Sequence, residues 1–376
     1  MQFRDLKTQY QQLKPQIDAA IQEVLNDANF ISGKQVNELE DQLSEYVGVK
    51  HCVTCANGTD ALTLALMAWN IGPGDAVFVP DFTFFSSGEV VAGEGATPVF
   101  VDVCEDTFNI SVSSLEHAIQ EVLKEGKLTP RVILAVDLFG LPANYPELRK
   151  IADQYGLLIL EDGAQGFGGE INGKRACSFG DISTTSFFPA KPLGCYGDGG
   201  AVFTDSDEIA DKLRSIRVHG KGSSKYDNVR LGLNSRLDTL QAALLIPKLD
   251  AFRQYELEAV NKAAAKYSEM LQDMVTTPDI PEGFYSSWAQ YTILLKNRTE
   301  RDGLQVFLKE KGIPSMVYYM KPMHMQKAFH GLRSYVDQKI TEPLCDRVLS
   351  LPMHPYLTEN DIEVVAKETI SFLKVD

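Results

Sequence analysis

Short apolar, β-branched runs alternate with helical patterns between about residue 50 and residue 205. Such alternation is typical of βαβ units, in which helices cover both faces of a mostly parallel sheet. The sequence therefore predicts an α/β fold with a mostly parallel, mixed sheet. Helices are expected at Asp60–Trp69 and at Pro146–Tyr155, with Asn144 just ahead of the second. The expected strands are Ala76–Pro80, Pro98–Val103, Val132–Phe139, Leu157–Glu161, Ile182–Phe187 and Gly200–Thr204.

The character of the chain changes after a long helical pattern from Leu237 to Met274, which is rich in Ala, Leu, Lys and Glu. Strand-like and helical patterns beyond it predict a small C-terminal α+β domain. We therefore expect a large domain at residues 1–250 and a small domain at residues 251–376. The patterns assigned to the small domain are Ser287–Leu295, Arg301–Lys311, Ser315–Tyr319 and Asp361–Leu373.

Net charge and hydropathy restrict the partners of this chain. Its 376 residues carry a formal net charge of -15, which repels nucleic acid and anionic lipid at long range. No stretch approaches the ~20 consecutive apolar residues of a membrane helix, and the charged amino terminus is unlike a secretory signal. We therefore expect a cytoplasmic protein that binds neither nucleic acid nor membranes.

The six cysteines follow no framework spacing. Cys52 and Cys55 match C-x-x-C, but no second pair of ligands follows at short range, as a structural zinc site requires. Both are interpreted as small buried residues near the end of a strand, and no metal site is expected.

One lysine stands among aromatic and small residues, where residues 186–194 read Ser-Phe-Phe-Pro-Ala-Lys-Pro-Leu-Gly. An ordinary lysine, with a pKa of about 10.4, is almost wholly protonated near neutral pH, so a Schiff-base lysine needs surroundings that lower its pKa. The apolar residues around Lys191 can supply part of that shift. The alternative interpretation is a lysine in a surface loop.

An acidic residue ends the predicted strand that precedes this lysine, where residues 157–165 read Leu-Leu-Ile-Leu-Glu-Asp-Gly-Ala-Gln. The carboxyl ends of parallel strands face the ligand crevice of an α/β fold. Pyridoxal phosphate needs an acidic partner for its pyridine nitrogen, because the protonated ring accepts the electrons of a carbanion. Asp162 is the candidate for that partner, and a helix cap or a turn is the alternative.

A glycine turn opens a predicted helix where residues 55–62 read Cys-Ala-Asn-Gly-Thr-Asp-Ala-Leu. Free N–H groups and the positive end of the helix dipole at Gly58, Thr59 and Asp60 suit a phosphate group. Ser186 is a candidate for a further phosphate contact. A plain helix cap by Asn57 or Thr59 would look the same in the sequence.

Aromatic residues follow another predicted strand, where residues 80–85 read Pro-Asp-Phe-Thr-Phe-Phe. One of these rings is placed to stack on a pyridine ring at the same sheet edge. Core packing is the alternative for any single phenylalanine.

Together these segments resemble the DegT-type nucleotide-sugar aminotransferases over nearly the whole chain. Residues 3–7, Phe-Arg-Asp-Leu-Lys, and residues 30–36, Phe-Ile-Ser-Gly-Lys-Gln-Val, are similar to that family's opening pattern. The resemblance implies the pyridoxal-phosphate-dependent transferase fold type I, that of aspartate aminotransferase. Matched residue by residue, it implies Lys191 as the Schiff-base lysine and Asp162 as the pyridinium partner. The other implied cofactor residues are Gln165 at the ring's 3-hydroxyl face, Phe84 as the stacking aromatic, and Gly58, Thr59, Asp60 and Ser186 around the phosphate.

Residues 232–238, Gly-Leu-Asn-Ser-Arg-Leu-Asp, resemble the family's loop that crosses to a neighbouring subunit. This implies a homodimer with shared active sites, in which Asn234 reaches the cofactor phosphate of the partner. Without the resemblance, Asn234 and Arg236 would be interpreted as a polar helix start. Arg217, His219 and Gly220 also match a family pattern, with a surface helix end as the alternative.

Residues 186–200, 289–292 and 350–355 are similar to bacterial enzymes that install the 3-amino group of UDP-linked acetamido-hexuronic acids, sugars of lipopolysaccharide and other polysaccharides. Arg236 fits that substrate, because a guanidinium group suits a sugar carboxylate. The usual His-Tyr-Pro pattern is replaced by Tyr-Tyr-Met at residues 318–320. The resemblance nevertheless implies sugar contacts from Tyr319 and His324.

The implied reaction is ping-pong transfer of an amino group from L-glutamate to the keto-sugar, with Lys191 moving the proton as general base and then acid. A C4 or C3 aminotransferase of a UDP- or dTDP-linked keto-6-deoxy sugar is the alternative substrate assignment. A non-catalytic regulatory protein of the same fold is another possibility. A keto-sugar dehydratase is disfavoured by Lys191, since those relatives carry histidine there, and a nicotinamide enzyme by the absence of G-x-G-x-x-G.

Overall fold

In the computed structural model, which describes residues 1–224 and 226–374, a seven-stranded mixed sheet lies at the centre of the fold. A three-stranded and a two-stranded sheet accompany it. The strands are β1 (His51–Cys55), β2 (Asp75–Pro80), β3 (Thr97–Val101), β4 (Thr129–Val136), β5 (Leu158–Asp162), β6 (Glu170–Ile171), β7 (Lys174–Arg175), β8 (Ile182–Ser186), β9 (Gly200–Thr204), β10 (Phe284–Tyr285), β11 (Tyr291–Leu294) and β12 (Val348–Leu351).

Helices precede, cover and follow this sheet. The α-helices are α1 (Leu6–Asp27), α2 (Lys34–Val47), α3 (Gly58–Ala68), α4 (Ser86–Gly93), α5 (Val112–Glu125), α6 (Tyr145–Tyr155), α7 (Asp207–Ile216), α8 (Thr239–Ala251), α9 (Leu257–Leu271), α10 (Arg298–Glu310), α11 (Thr341–Arg347) and α12 (Glu359–Leu373). A π-helical turn, Phe252–Glu256, joins α8 to α9, and short 3-10 turns lie at Leu138–Gly140, Met323–Met325 and Lys327–Phe329.

The central sheet has the strand order β1-β9-β8-β5-β4-β2-β3. Strands β3, β2, β4, β5 and β8 pair in parallel, whereas β9 pairs antiparallel with both β8 and β1. The predicted mostly parallel, mixed sheet is therefore confirmed. Its parallel strands end at one edge, so the residues just after β2, β4, β5 and β8 lie near one another.

Helices cover both faces of the sheet, as predicted. Successive strand side chains point to opposite faces, so Ile133 and Ile159 pack with α5 and α6, while Leu134 and Leu160 pack with α3. All four side chains are fully buried. Burial of one aliphatic side chain of this size contributes about 1.5–3 kcal/mol, so apolar strands of this kind hold the sheet between its helices.

The sequence analysis placed most elements to within a few residues, and Asn144 caps α6 by accepting from the N–H of Glu147. The predicted strand Val132–Phe139 was wrong at its end. Strand β4 stops at Val136, because the chain then turns into the Leu138–Gly140 segment, in which Phe139 has a positive φ of 58°. Strand β1 was missing from the expected strands. Its Cys52 and Cys55 are buried free cysteines, in agreement with the interpretation of the C-x-x-C segment.

The C-terminal part contains the antiparallel pair β11 and β12, packed with α9, α10 and α12. The expected strand at Ser315–Tyr319 was wrong, since only Met316 forms a bridge, to Ser350. The helical pattern predicted from Leu237 to Met274 is confirmed as α8, the π-helical turn and α9 in continuous succession. Because this succession passes through residue 250, the two-domain division at that position stays a prediction.

Arg217 is part of the packing between β1 and α2 rather than a surface helix end. Its Nη1 donates to Glu40 at 2.6 Å and to the carbonyl oxygen of Thr54 at 2.7 Å. No helix among residues 1–224 and 226–374 combines the length and the apolar character needed to cross a membrane.

Candidate active site

Lys191 lies in the turn that follows β8, and both sides of its backbone are held. Its N–H donates to the carbonyl oxygen of Phe188 at 2.8 Å, and its own carbonyl oxygen accepts from Nη2 of Arg4 at 2.8 Å. The side-chain amine makes no hydrogen bond to the described part of the chain. Burial lowers the pKa of Lys191, the charge of Asp162 opposes that shift, and the charge of Arg4 adds to it. The amine is therefore more available as a nucleophile and base than an ordinary lysine.

Asp162 ends β5, the strand next to β8, so it lies at the same sheet edge as the lysine turn. Its side chain is buried, with one carboxylate oxygen accepting from the hydroxyl of Ser87 at 2.9 Å and the other from the N–H of Ala164 at 3.2 Å. Burial raises the pKa of Asp162, while Ser87 and Lys191 oppose that shift. A buried carboxylate of this kind calls for a positively charged partner.

The first turn of α3 and the end of β8 form a small polar cradle. Asn57 caps the helix by accepting from the N–H of Asp60 at 2.8 Å, and the first-turn N–H groups of Gly58 and Thr59 have no acceptor within the helix. The register brings these parts together, because Gly200 lies opposite Ser186 on one side and opposite the end of β1 on the other. The cradle therefore combines a helix N-terminus with a serine hydroxyl, which suits a phosphate group.

Gln165 is fixed at both ends of its amide. Its Oε1 accepts from the N–H of Phe139 at 2.9 Å, and its Nε2 donates to the hydroxyl of Tyr319 at 3.1 Å. Burial raises the pKa of Tyr319, whose ring packs edge-on against Phe82 at 5.8 Å between centroids. Gln165 and Tyr319 thus form one connected group beside Asp162.

His324 is bound to Asp81, a buried aspartate that follows β2 just as Asp162 ends β5. Its Nδ1 lies 2.6 Å from Oδ2 of Asp81, and its backbone N–H donates to Oδ1 at 2.8 Å. The hydrogen bond to Asp81 raises the pKa of His324. His324 therefore has a structural partner, and its predicted sugar contact stays a prediction. The sequence analysis did not single out Asp81, although its position after a strand was a signal.

Three predicted site residues make no described contact with Lys191 or Asp162. Phe84 is 53% exposed, and Asn234 is also exposed. Arg236 is half-buried and has no hydrogen-bond or ion-pair partner within the residues that the structure describes. Their expected contacts with cofactor, partner subunit and sugar stay predictions.

Two further buried carboxyl groups, those of Glu161 and Asp137, lie next to this site, and the sequence analysis assigned neither to it. Glu161 accepts from the N–H of Phe179 at 2.7 Å and from the hydroxyl of Ser183 at 2.6 Å. Asp137 accepts from the hydroxyl of Tyr145 at 2.7 Å through Oδ1, whereas no described donor reaches its Oδ2. Burial, followed by the charge of Glu161, raises the pKa of Asp137 well above its usual range. Burial raises the pKa of Glu161 as well, but the hydrogen bonds that Glu161 accepts oppose that shift. Asp137 therefore favours the protonated form more strongly than Glu161 does.

The residues at this edge fit pyridoxal phosphate. The cradle of α3 and Ser186 suits the phosphate, the buried carboxylate of Asp162 suits a protonated pyridine nitrogen, and Lys191 offers an amine with a lowered pKa. These three requirements are met at the same end of the sheet.

A sequence model of the DegT/DnrJ/EryC1/StrS aminotransferase family matches residues 11–369. The chain belongs to this family. The crystal structure of a family member from Brucella abortus is 49% identical, superposes with a TM-score of 0.97, and each chain covers 99% of the other. The protein is accordingly a pyridoxal-phosphate-dependent aminotransferase with the expected fold type I architecture.

Relatives of this chain within the family include two proteins named as aminotransferases and one named as a regulatory protein. A UDP-2-acetamido-2-deoxy-3-oxo-D-glucuronate aminotransferase from Pseudomonas aeruginosa is 44% identical, with 97% of this chain and 98% of the relative covered. A UDP-N-acetyl-3-dehydro-alpha-D-glucosamine 3-aminotransferase from Acidithiobacillus ferrooxidans is 42% identical, with 96% and 95% covered. A protein named pleiotropic regulatory protein from Geobacillus stearothermophilus is 41% identical, with 98% of each covered.

Proposed function

We propose that this aminotransferase moves an amino group from L-glutamate to C3 of a UDP-linked 2-acetamido-3-keto-hexuronic acid. The observation that carries the chemistry is the position of Lys191 and Asp162 at one sheet edge, beside the cradle of α3 and Ser186. The substrate assignment rests on the two relatives whose names describe 3-keto UDP-sugars. We place the reaction in the cytoplasm and its product in lipopolysaccharide or other polysaccharide synthesis.

In this proposal each polar group of the site has a defined task. The first turn of α3, from Gly58 to Asp60, binds the phosphate with Ser186, and Asp162 keeps the pyridine nitrogen protonated. Bound pyridoxal phosphate supplies the electron sink for the substrate carbanion. The amine of Lys191, whose protonated form is disfavoured by burial and by Arg4, takes the proton from the substrate carbon and later returns it. Gln165, held by Phe139 and Tyr319, presents a fixed amide beside the ring.

Two loop residues, Asn234 and Arg236, complete the site in a homodimer. Asn234 is exposed and Arg236 has no partner among the described residues, so both side chains are available to a second copy of the chain. We propose that Asn234 contacts the cofactor phosphate of the partner subunit and that Arg236 binds the sugar carboxylate. The exposed ring of Phe84 is assigned to stacking on the cofactor. Tyr319 and His324 are assigned to the sugar side.

The carboxylate is the feature that divides the two named 3-keto sugars, and Arg236 provides the test. Purified enzyme is assayed with L-glutamate and each of two substrates, the UDP-3-keto-hexuronic acid and the UDP-3-keto-N-acetylglucosamine. We expect the acid to be preferred, and Arg236→Gln to lower kcat/KM for the acid by tenfold or more while changing the neutral sugar little. Arg298→Gln, at an exposed arginine at the start of α10, is the control. Equal losses of kcat/KM on both sugars would contradict the proposal that Arg236 binds the sugar carboxylate.

A regulatory role is the second candidate, since one relative at 41% identity bears that name. The same assay separates the two functions. A protein that retains bound cofactor but shows no turnover with L-glutamate and any UDP- or dTDP-linked keto-sugar supports regulation. Preference for a 4-keto-6-deoxy sugar would instead support the alternative substrate class.

A further inference from the structure

Arg4 belongs to the amino-terminal segment, residues 1–9, and contacts the lysine turn, residues 188–191 after β8. Its Nη2 donates to the carbonyl oxygen of Lys191 at 2.8 Å. Both residues also line a narrow cavity of about 10 Å³. The remaining lining residues come from the amino-terminal segment, from the lysine turn and from the loop after β12, and they are Asp5, Leu6, Gln9, Pro189, His354, Pro355 and Tyr356.

A buried acid on the π-helical turn holds this region in place. Glu256 ends that turn, is 3% exposed, and accepts from Nε2 of Gln9 at 2.9 Å and from the hydroxyl of Tyr356. Its charge acts on Arg4 against the desolvation that lowers the pKa of the guanidinium. An arginine stays protonated even so, because its pKa begins above 12. The guanidinium is therefore a fixed positive charge between Glu256 and the lysine turn.

Two charges from different parts of the chain act on Lys191. Asp162 favours the protonated amine from the sheet edge, and Arg4 disfavours it from the amino-terminal segment. The other titratable groups that line the shared cavity are Asp5, His354 and Tyr356. Burial lowers the pKa of His354 to about 4, so that imidazole is neutral near pH 7. Arg4 is accordingly the positive group of the cavity that acts directly on Lys191.

We propose that Arg4 is a positioning residue for Lys191, which anchors the backbone of its turn and uses a fixed positive charge to disfavour protonation of the amine. This inference rests on the proposed function, in which Lys191 acts as a base. It assigns a part in the chemistry to the amino-terminal segment, which lies far from the lysine in sequence. A purely structural contact would hold the turn without changing the protonation of the amine.

The test measures the protonation of Lys191 in the full-length protein from which the cofactor has been removed. Trace acetylation with acetic anhydride from pH 6 to pH 11, followed by peptide mass mapping, gives the apparent pKa of this one amine. We expect Arg4→Gln to raise that pKa, and to slow labelling of Lys191 at pH 8 by about threefold to tenfold, which corresponds to half a unit to one unit. Arg4→Lys, which keeps the charge, should stay close to the wild type. Lys7→Gln removes an exposed charge from the same segment and should leave the labelling unchanged.

The outcomes separate the inference from the proposed function. An unchanged labelling profile of Lys191 in folded Arg4→Gln would overturn the inference, as would an equal shift in Arg4→Lys. If Arg4→Gln does not fold, Arg4→Met takes its place as the uncharged variant. The proposal then stands only if the pKa of Lys191 is higher in Arg4→Met than in Arg4→Lys. Failure of the proposed function shows itself differently, as absence of the cofactor from Lys191 in the wild type.

Discussion

Gly58 lies against Ser186, so closely that a Cβ atom on the glycine would come within 2.6 Å of the serine Cβ. The approach joins the first turn of α3 to the end of β8. A side chain at this position would separate the two halves of the cradle that we assign to the cofactor phosphate.

Gly58→Ala is therefore expected to weaken cofactor binding. Overpacking at a close contact costs about 1–3 kcal/mol, which corresponds to a dissociation constant raised by about 5-fold to 150-fold. Titration of the cofactor-free protein with pyridoxal phosphate, followed by fluorescence, measures the effect. Gly93→Ala is the matched control, since an added Cβ there meets nothing within 4 Å. Unchanged affinity in a folded Gly58→Ala protein would refute the cradle assignment.

Asp162→Asn tests the acid at the end of β5. The amide cannot keep the pyridine nitrogen protonated, so transamination should slow on the order of 100-fold or more while the cofactor stays bound. Single-turnover kinetics with L-glutamate give the rate, and the visible spectrum gives the occupancy. Asp153→Asn, an exposed aspartate on α6, serves as the control. A near-normal single-turnover rate in Asp162→Asn would contradict the role of Asp162 in keeping the pyridine nitrogen protonated.

The carboxyl pair behind the site predicts an unusual response to pH. Because the folded pKa of Asp137 is raised, the folded chain keeps a proton that the unfolded chain releases above about pH 4. The free energy of unfolding therefore falls as the pH rises from about 4 towards the folded pKa. Asp137→Asn has no such proton to lose, so its stability relative to the wild type should increase between pH 5 and pH 8. Urea unfolding of both proteins at pH 5 and at pH 8 measures the difference in their free energies of unfolding.

Glu161→Gln is the contrasting variant for that experiment. Glu161 accepts hydrogen bonds from backbone and side-chain donors with both carboxylate oxygens, and an amide nitrogen at one of these positions meets donors instead. We expect Glu161→Gln to lower the free energy of unfolding by about 2 kcal/mol or more, both at pH 5 and at pH 8. A relative stability of Asp137→Asn that does not change with pH would show that Asp137 is ionised in the folded protein.

Complementation tests the shared active site. If Asn234 serves the partner's cofactor, inactive Lys191→Ala and inactive Asn234→Ala proteins should form hybrid dimers in which one site carries neither change. Subunit exchange should then restore turnover with L-glutamate above that of either unmixed variant. Native mass spectrometry identifies the heterodimers. Heterodimers without any gain in activity would assign Asn234 to its own subunit or to no active site.

The sequence predicted those parts of the site that have a local signal. Gly58 stands in a glycine turn before a helix, and Asp162 ends an apolar strand, so pattern and spacing alone placed both. The parallel sheet followed from the alternation of strands and helices. Strand β1 is as long as β5 but was not among the expected strands, because its Cys-Val-Thr-Cys sequence was interpreted only for its cysteines.

Contacts between distant segments left no such signal. Arg4 meets the Lys191 carbonyl across 187 residues, and His324 meets Asp81 across 243 residues. No periodicity relates these positions, because each pair depends on where the whole sheet places its loops. The contacts proposed for Asn234 and Arg236 have no local signal either, so both residues were assigned by resemblance.

The most direct test of the account is to find which lysine binds the cofactor. The purified protein is reduced with borohydride, digested and mapped by mass spectrometry. The account predicts one pyridoxyl adduct, on Lys191, with loss of the adduct in Lys191→Ala. An adduct on a different lysine in the wild-type protein, or none after loading with pyridoxal phosphate, would contradict it.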